Sequence, residues 1–151
     1  MIGTAAEAAS DLGNWGYGVR IDNFESNTVA DNIVSFNRTG GIILFSADNN
    51  TITGNKVRNN QKQDGIAISG PASGNVISSN QVTSNARSGI LLSEVTGNTV
   101  TGNTISSNGS AGVLAVFGTN NSVLAISIFS NGGLGIELWP SGSTPNETGD
   151  G

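Results

Sequence analysis

Apolar residues recur along this chain in short alternating runs and never in a helical rhythm. In Gly41-Ile42-Ile43-Leu44, Ile42 and Leu44 share one face of an extended strand. A glycine followed by an aliphatic residue returns at Gly18, Gly41, Gly65, Gly89, Gly112 and Gly135, at intervals of 23, 24, 24, 23 and 23. A second landmark begins nine or ten residues after each glycine and reads Asn-x-[Val/Ile]-x-x-Asn-x-[Val/Ile]-x-x-Asn. Its copies are Asn27/Asn32/Asn37, Asn50/Asn55/Asn60, Asn75/Asn80/Asn85 and Asn98/Asn103/Asn108, with a fifth, Asn121/Ile126/Asn131, in which one asparagine is replaced. Two landmarks in phase define a repeat protein. Leucine-rich repeats overlap the period, but they need repeated leucine and a helix-compatible half, and neither is present.

Each unit therefore predicts three short strands separated by turns, with successive units stacked. Asparagine tolerates left-handed backbone and its amide bonds neighbouring backbone, so the asparagine landmarks are expected to mark the bends. The fold expected is all-β: a single-stranded right-handed parallel β-helix, or β-solenoid, of about five to six coils of 23–24 residues. Right-handedness follows from the crossover rule for parallel strands. Stacking places like over like in four inward columns. They are Val19, Ile42, Ile66, Ile90, Val113, Ile136; Ile21, Leu44, Ile68, Leu92, Ala115, Leu138; Val29, Ile52, Ile77, Val100, Val123; and Val34, Val57, Val82, Ile105, Ile128. None of these residues is polar, so a continuous core is expected, each full burial being worth roughly 1.5–3 kcal/mol. The asparagine columns, Asn32, Asn55, Asn80, Asn103 and Asn37, Asn60, Asn85, Asn108, Asn131, are read as structural, passing amide hydrogen bonds up the stack.

The repeats are expected to run from 15 to 139, after an N-terminal cap and degenerate coil (1–14) and before a C-terminal loop or tail (140–151). Thr4-Ala5-Ala6-Glu7 fits a capping box for a short helix over the first open coil edge. Asn14 falls four residues before Gly18, as Asn37 does before Gly41, and so ends the degenerate coil. Single-residue insertions in Gln61–Asp64 and Gly70–Gly74 are expected to bulge beside the third coil. Met1 and the abrupt end at Gly151 read as a cut from a longer chain. The N-terminus lacks the basic and apolar regions of a signal peptide, and no apolar run is long enough for a membrane span.

Composition narrows the chemistry. The 151 residues include 22 Gly and 20 Asn but no Cys and no His, which removes disulfides, thiolate metal sites, cysteine nucleophiles and histidine acid–base catalysis. Net charge is −5, which disfavours nucleic acid as a partner.

With its columns in place, the sequence resembles the bacterial right-handed parallel β-helix repeat proteins of the pectate-lyase-like superfamily, over about residues 15–139. It resembles more narrowly the modules of large secreted or cell-surface proteins. Ile2-Gly3-Thr4-Ala5-Ala6 approximates one of their signatures, with a glycine missing. Asn75-Val76-Ile77-Ser78-Ser79-Asn80, Asn131-Gly132-Gly133-Leu134-Gly135-Ile136-Glu137-Leu138 and Thr144-Pro145-Asn146-Glu147 follow three more. The resemblance implies an extracellular or cell-surface location and a carbohydrate-associated context. It implies no particular activity, because the fold hosts lyases, hydrolases, epimerases, adhesins and spacers.

Candidate chemistry is sparse. Glycoside cleavage needs two carboxylates at a set separation. Glu25 and Asp48 form the one stacked acidic pair, both two residues before a landmark asparagine, and a pair of solvated turn acids is the plainer reading. Lys62 and Arg87 occupy equivalent turn positions near Asp64. They could grip an acidic sugar, although a surface ion pair accounts for them as well. Asn146, Glu147 and Asp150 could ligate calcium in the tail, the one cofactor considered.

Outward first-strand positions are unusually apolar. Ile43, Leu91 and Leu114 fall in one column and Phe45, Val116 and Trp139 in the other, with Phe117 beside them. Such a patch predicts self-association or a neighbouring chain through Ile43, Phe45, Leu91, Leu114 and Val116, partial cover by the C-terminal loop, or sugar stacking on Phe45 and Trp139. Thr51-x-Thr53 and Thr99-x-Thr101 resemble ice-binding ranks, but intervening coils interrupt them and ordinary strand preference explains them better. The expectation is a non-catalytic structural, adhesion or polysaccharide-contact module of a secreted or surface protein. The alternative is a fragment of a carbohydrate-active lyase, epimerase or hydrolase, with ice binding more remote.

Overall fold

In a computed structural model, residues 12–139 are described, and they form a parallel β-solenoid of about five turns with no helix. The proposed capping helix at Thr4–Glu7 and the calcium candidates Asn146, Glu147 and Asp150 lie outside these residues. Each turn contributes one strand to each of three sheets. The first sheet holds β1 (Val19–Asp22), β4 (Ile42–Phe45), β7 (Ile66–Ser69), β10 (Ile90–Ser93), β13 (Val113–Val116) and β16 (Ile136–Trp139). The second holds β2 (Thr28–Ala30), β5 (Thr51–Thr53), β8 (Val76–Ser78), β11 (Thr99–Thr101) and β14 (Ser122–Leu124). The third holds β3 (Ile33–Ser35), β6 (Lys56–Arg58), β9 (Gln81–Thr83), β12 (Thr104–Ser106) and β15 (Ser127–Phe129).

Pairing is parallel throughout, and its register reproduces all four predicted columns. Ile42, Leu44, Ile66, Ile68, Ile90 and Leu92 are fully buried along the first sheet, facing Ile52, Ile77, Val57 and Val82 from the other two. Burial fades at the last coil, where Ile136 and Leu138 are exposed. Both insertions are absorbed in turns without disturbing any strand pairing.

The asparagines do half of what the sequence suggests. Their amides do bond neighbouring backbone, but their own backbone is not left-handed. Among the described residues, every landmark position is immediately preceded by a residue with φ between 48° and 66°, from Ser26 and Asp31 in the first coil to Ala125 and Ser130 in the last. Glycine fills only four of these bends, Gly54, Gly74, Gly97 and Gly102. Asparagine and aspartate fill some of the rest at little cost, and serine, Phe36 and Ala125 fill the others at roughly 1–2 kcal/mol of backbone strain each. The landmark asparagine then secures the bend. Its backbone N–H and its Nδ2 both donate to Oδ1 of the asparagine one coil on.

Three such ladders run along the stack. One links Asn27, Asn50, Asn75, Asn98 and Asn121. A second links Asn32, Asn55, Asn80 and Asn103. The third links Asn14, Asn37, Asn60, Asn85, Asn108 and Asn131. Asn14 therefore heads a ladder. The second ladder stops at Asn103 because Ile126 occupies the next rung and packs against the core instead.

The recurring glycine has a steric cause. A Cβ on Gly65 would stand 2.7 Å from Asn85 Nδ2 and 2.8 Å from the Gly89 carbonyl oxygen, whereas one on Gly135 would meet only Ile128 at 3.7 Å. Gly65→Ala is therefore expected to destabilise the fold by about 1–3 kcal/mol, and Gly135→Ala to leave it nearly unchanged. Paired urea melts check this. Equal midpoints for the two variants would show that the close approach is not what selects glycine.

Candidate functional site

The carboxylates nearest to forming a site are held by the fold itself. Glu25 and Asp48 do stand in neighbouring coils of the first corner, between sheets one and two. However, Asp48 Oδ1 accepts from the Ser73 amide at 2.6 Å and from Ser73 Oγ at 3.1 Å, while Glu25 is exposed. Farther along this corner the same column carries hydroxyls, and Thr96 Oγ1 donates to the Thr119 carbonyl at 2.7 Å. Asp48 thus begins a chain of coil-to-coil contacts. A shallow depression of about 300 Å3 beside it is lined by Asp48, Pro71, Ala72, Ser73, Glu94 and Thr96.

The Lys62, Arg87 and Asp64 group at the third corner is not the surface ion pair that the sequence suggests. Asp64 is only 4% exposed, and its Oδ1 accepts from the Ser88 amide at 2.9 Å. Its column reads Gly40, Asp64, Ser88 and Ala111, positions turned towards the next coil, so the carboxylate caps backbone instead of reaching solvent. Arg87 Nη1 donates to Gln63 Oε1 at 3.0 Å, and Lys62 is exposed. Among the described residues the one ion pair is Arg20 with Asp22, at 2.7 Å.

Burial pushes the Asp64 carboxyl above its ordinary 3.8, against the lowering effects of the Ser88 amide and the Arg87 charge. Folded Asp64 keeps its proton to higher pH than the unfolded chain does. It therefore favours folding most below pH 3.8, and progressively less as pH rises through its folded value. Asp64→Asn retains an acceptor for Ser88 without the charge. It is expected to be at least as stable as the wild type at pH 7 and to flatten this part of the pH–stability profile. Equilibrium unfolding of both proteins at pH 4 and pH 7 tests this, and a less stable Asn variant at pH 7 alone would overturn it.

The outward apolar face is smaller than the sequence suggests. Ile43 is 7% exposed and Ala67 is buried beside it, because a mid-sheet side chain is flanked by its registered neighbours, here Arg20 and Ala67. Leu91, Leu114 and Val116 are half-buried. Phe45, Phe117 and Trp139 are exposed, and Trp139 Nε1 donates to Glu137 Oε1 at 3.0 Å. The threonine ranks of the second sheet are interrupted as expected, and Ser78 Oγ donates to Thr53 Oγ1 at 3.0 Å within them. Among the described residues, no group of three acids is placed to hold a metal ion, and no helix is long and apolar enough to cross a membrane.

The asparagines of the first ladder, from Asn27 to Asn121, were visible in the sequence as landmarks, and the structure gives them the same bonding role as the other two columns. Trp15 follows Asn14 as Arg38 follows Asn37, so the two stand in register in neighbouring coils, and the Arg38 guanidinium lies against the Trp15 ring, 3.9 Å from ring centre to Cζ.

A family model described as right handed beta helix region matches residues 10–148. None of the curated proteins matches. Among solved structures, a mutant of the periplasmic alginate epimerase AlgG is similar, with 22% identity and a TM-score of 0.73, covering 84% of this chain and 42% of that one. A second structure of the periplasmic alginate epimerase AlgG is similar with 18% identity and a TM-score of 0.64, covering 82% and 36%. These likenesses are of fold, and the chain spans about two fifths of the length of the structures that it matches.

Proposed function

This chain belongs to the right-handed beta helix family, and on that premise we propose that it is a non-catalytic, glycan-contacting module of an extracellular or cell-surface protein. One observation carries the reading. Of the stacked corner pair Glu25 and Asp48, Asp48 is engaged on the Ser73 amide, and Asp64 at the third corner is likewise engaged on the Ser88 amide. A glycosidase-type pair needs one carboxyl free to protonate a leaving group and another free to attack or to activate water. The outer faces of the sheets remain as surface, and exposed Phe45 and Trp139 offer rings on which a sugar could stack.

The second reading, a fragment of a carbohydrate-active enzyme, is favoured by the fold shared with the alginate epimerase and by the partial coverage of its length. Incubation with neutral and acidic polysaccharides, with and without calcium, separates the two. Binding and chemical change in the glycan are followed in the same samples. Binding without new chain ends or altered sugar stereochemistry is the expected result. Either change would establish the enzyme reading, and failure to bind any glycan would remove glycan contact and leave a spacer.

A further inference from the structure

Outward columns change character at the last coil. On the second sheet one of them reads Ala30, Thr53, Ser78 and Thr101, and then Leu124. On the third sheet one reads Ser35, Arg58, Thr83 and Ser106, and then Phe129. On the first sheet Ser69, Ser93 and Val116 lead to Trp139. Leu124, Phe129 and Trp139 are all exposed, one on each sheet. The same coil leaves Leu134, Ile136 and Leu138 exposed at the end of the solenoid, where β14, β15 and β16 are each the last strand of their sheet. Residues 117–139 carry one charge, Glu137, whose Oε1 accepts from Trp139 Nε1. Stacking inside the solenoid asks only for apolar residues that point inward. A coil that is also apolar outward on every sheet, and nearly free of charge, has the composition of an interface core.

We propose that this last coil is a dimer interface, in which two copies of the chain meet end to end through their last coils. A further coil laid on this end would cover Ile136 and Leu138, but it would not account for Leu124 and Phe129, since the coils before it place polar residues at those positions on the second and third sheets. Residues 140–151 supply no apolar cover either, because prolines apart they are all polar or glycine. The opposite end is better closed. Val29 and Val34 of the first coil are buried, and the Arg38 and Thr39 amides donate to the Asn14 and Gly16 carbonyls laid over them. A head-to-tail contact would need that end and would grow into a filament, whereas two like ends form an isologous contact that closes at two copies. The six apolar side chains, each near half exposed, present roughly 600 Å2, close to the about 800 Å2 that a stable interface buries on each partner. The free edges of the last strands add unpaired backbone groups to the same surface. Self-association is thereby assigned to the end of the solenoid instead of the side of the first sheet, and Phe45, four coils away, stays open to a glycan.

Sedimentation velocity of the full chain over a concentration series tests this. The expected result is a species of twice 15.3 kDa that does not grow further as concentration rises. Leu124→Thr with Phe129→Thr gives the last coil the residue type of Thr101 and Thr83 in the same columns. The pair should weaken dimerisation at least tenfold and leave the fold intact, which circular dichroism checks. The chain has no cysteine, so single spin labels report the arrangement without touching those two residues. Labels on exposed Ser122→Cys, in the last coil, should stand within about 25 Å of each other in the dimer, and labels on exposed Thr28→Cys, four coils away, more than about 40 Å apart. A monomer at every concentration would overturn the proposal, as would a mass that keeps rising past the dimer. So would a dimer that survives the folded threonine pair. Equal label distances at the two positions would mean a side-by-side contact and would overturn it even if the threonine pair failed to fold. None of these outcomes bears on the glycan-contact reading.

Discussion

Ile68→Asp is expected to leave the solenoid unfolded at neutral pH. Ile68 has no exposed surface and lies in register between Leu44 and Leu92, with no polar partner in its column. Removing the side chain from a packed core costs roughly 2–5 kcal/mol, and burying a polar group without a hydrogen bond costs roughly 2–7 kcal/mol more. Together these rival the about 5–15 kcal/mol that holds a whole domain folded. A buried carboxyl escapes part of the penalty by staying protonated, so structure should return partly towards pH 4. Circular dichroism and thermal melts at both pH values provide the check, with Ile68→Val as the folded control, destabilised by about 0.5–1.5 kcal/mol. A cooperative melt with an unchanged midpoint at pH 7 would place residue 68 outside the core and void the register of the first sheet.

The second large effect belongs to the ladders. Asn80 sits mid-ladder. It accepts from the Asn55 amide at 2.9 Å and from Asn55 Nδ2 at 3.0 Å, and it donates to the Ile52 and Ser78 carbonyls. Asn80→Leu keeps the branched outline and heavy-atom count of the side chain and removes every one of these bonds. At about 1–3 kcal/mol for each buried group left without a partner, and at least two such groups, the loss is about 2–6 kcal/mol. Asn121→Leu, in the last coil of the described residues, should cost much less. The chain already carries the hydrophobic replacement at Ile126, where only the rung below loses a partner. Urea unfolding of both variants decides the point. Equal losses would mean that the asparagines act one by one and not as coupled rungs.

Sequence alone made the fold legible because the repeat is redundant. Val19, Ile42, Ile66, Ile90, Val113 and Ile136 could be aligned without knowing any contact, and each aligned column reports the same environment several times over. The corners are less legible because their contacts run between coils at offsets that the strand columns do not show. Asp64 reads as a surface acid from its neighbours Lys62 and Gln63, yet its column points at the Ser88 amide. The left-handed bends escaped notice for a related reason. The residue that bends, Ser79 for instance, varies from coil to coil, while the residue that secures the bend, Asn80, stays the same. Ile43 looked exposed by alternation, which gives the side of the sheet that a residue faces but not how closely its neighbours cover it.

The ladders and the sheet hydrogen bonds join each coil only to the next, and they lie along the solenoid axis. Stretched between its two ends, the molecule should yield one coil at a time. Each release would lengthen the chain by the contour of one repeat: 23 residues separate registered partners such as Val19 and Ile42, which corresponds to about 80 Å when extended. Among the coils that carry all three landmark positions, the one with Ile126 is joined by two ladders where the others are joined by three, so it should detach before them, and the evenly built interior coils should follow at nearly equal forces. Such a rod would act as a stepwise tether, absorbing mechanical work in equal increments while the coils not yet released keep their shape.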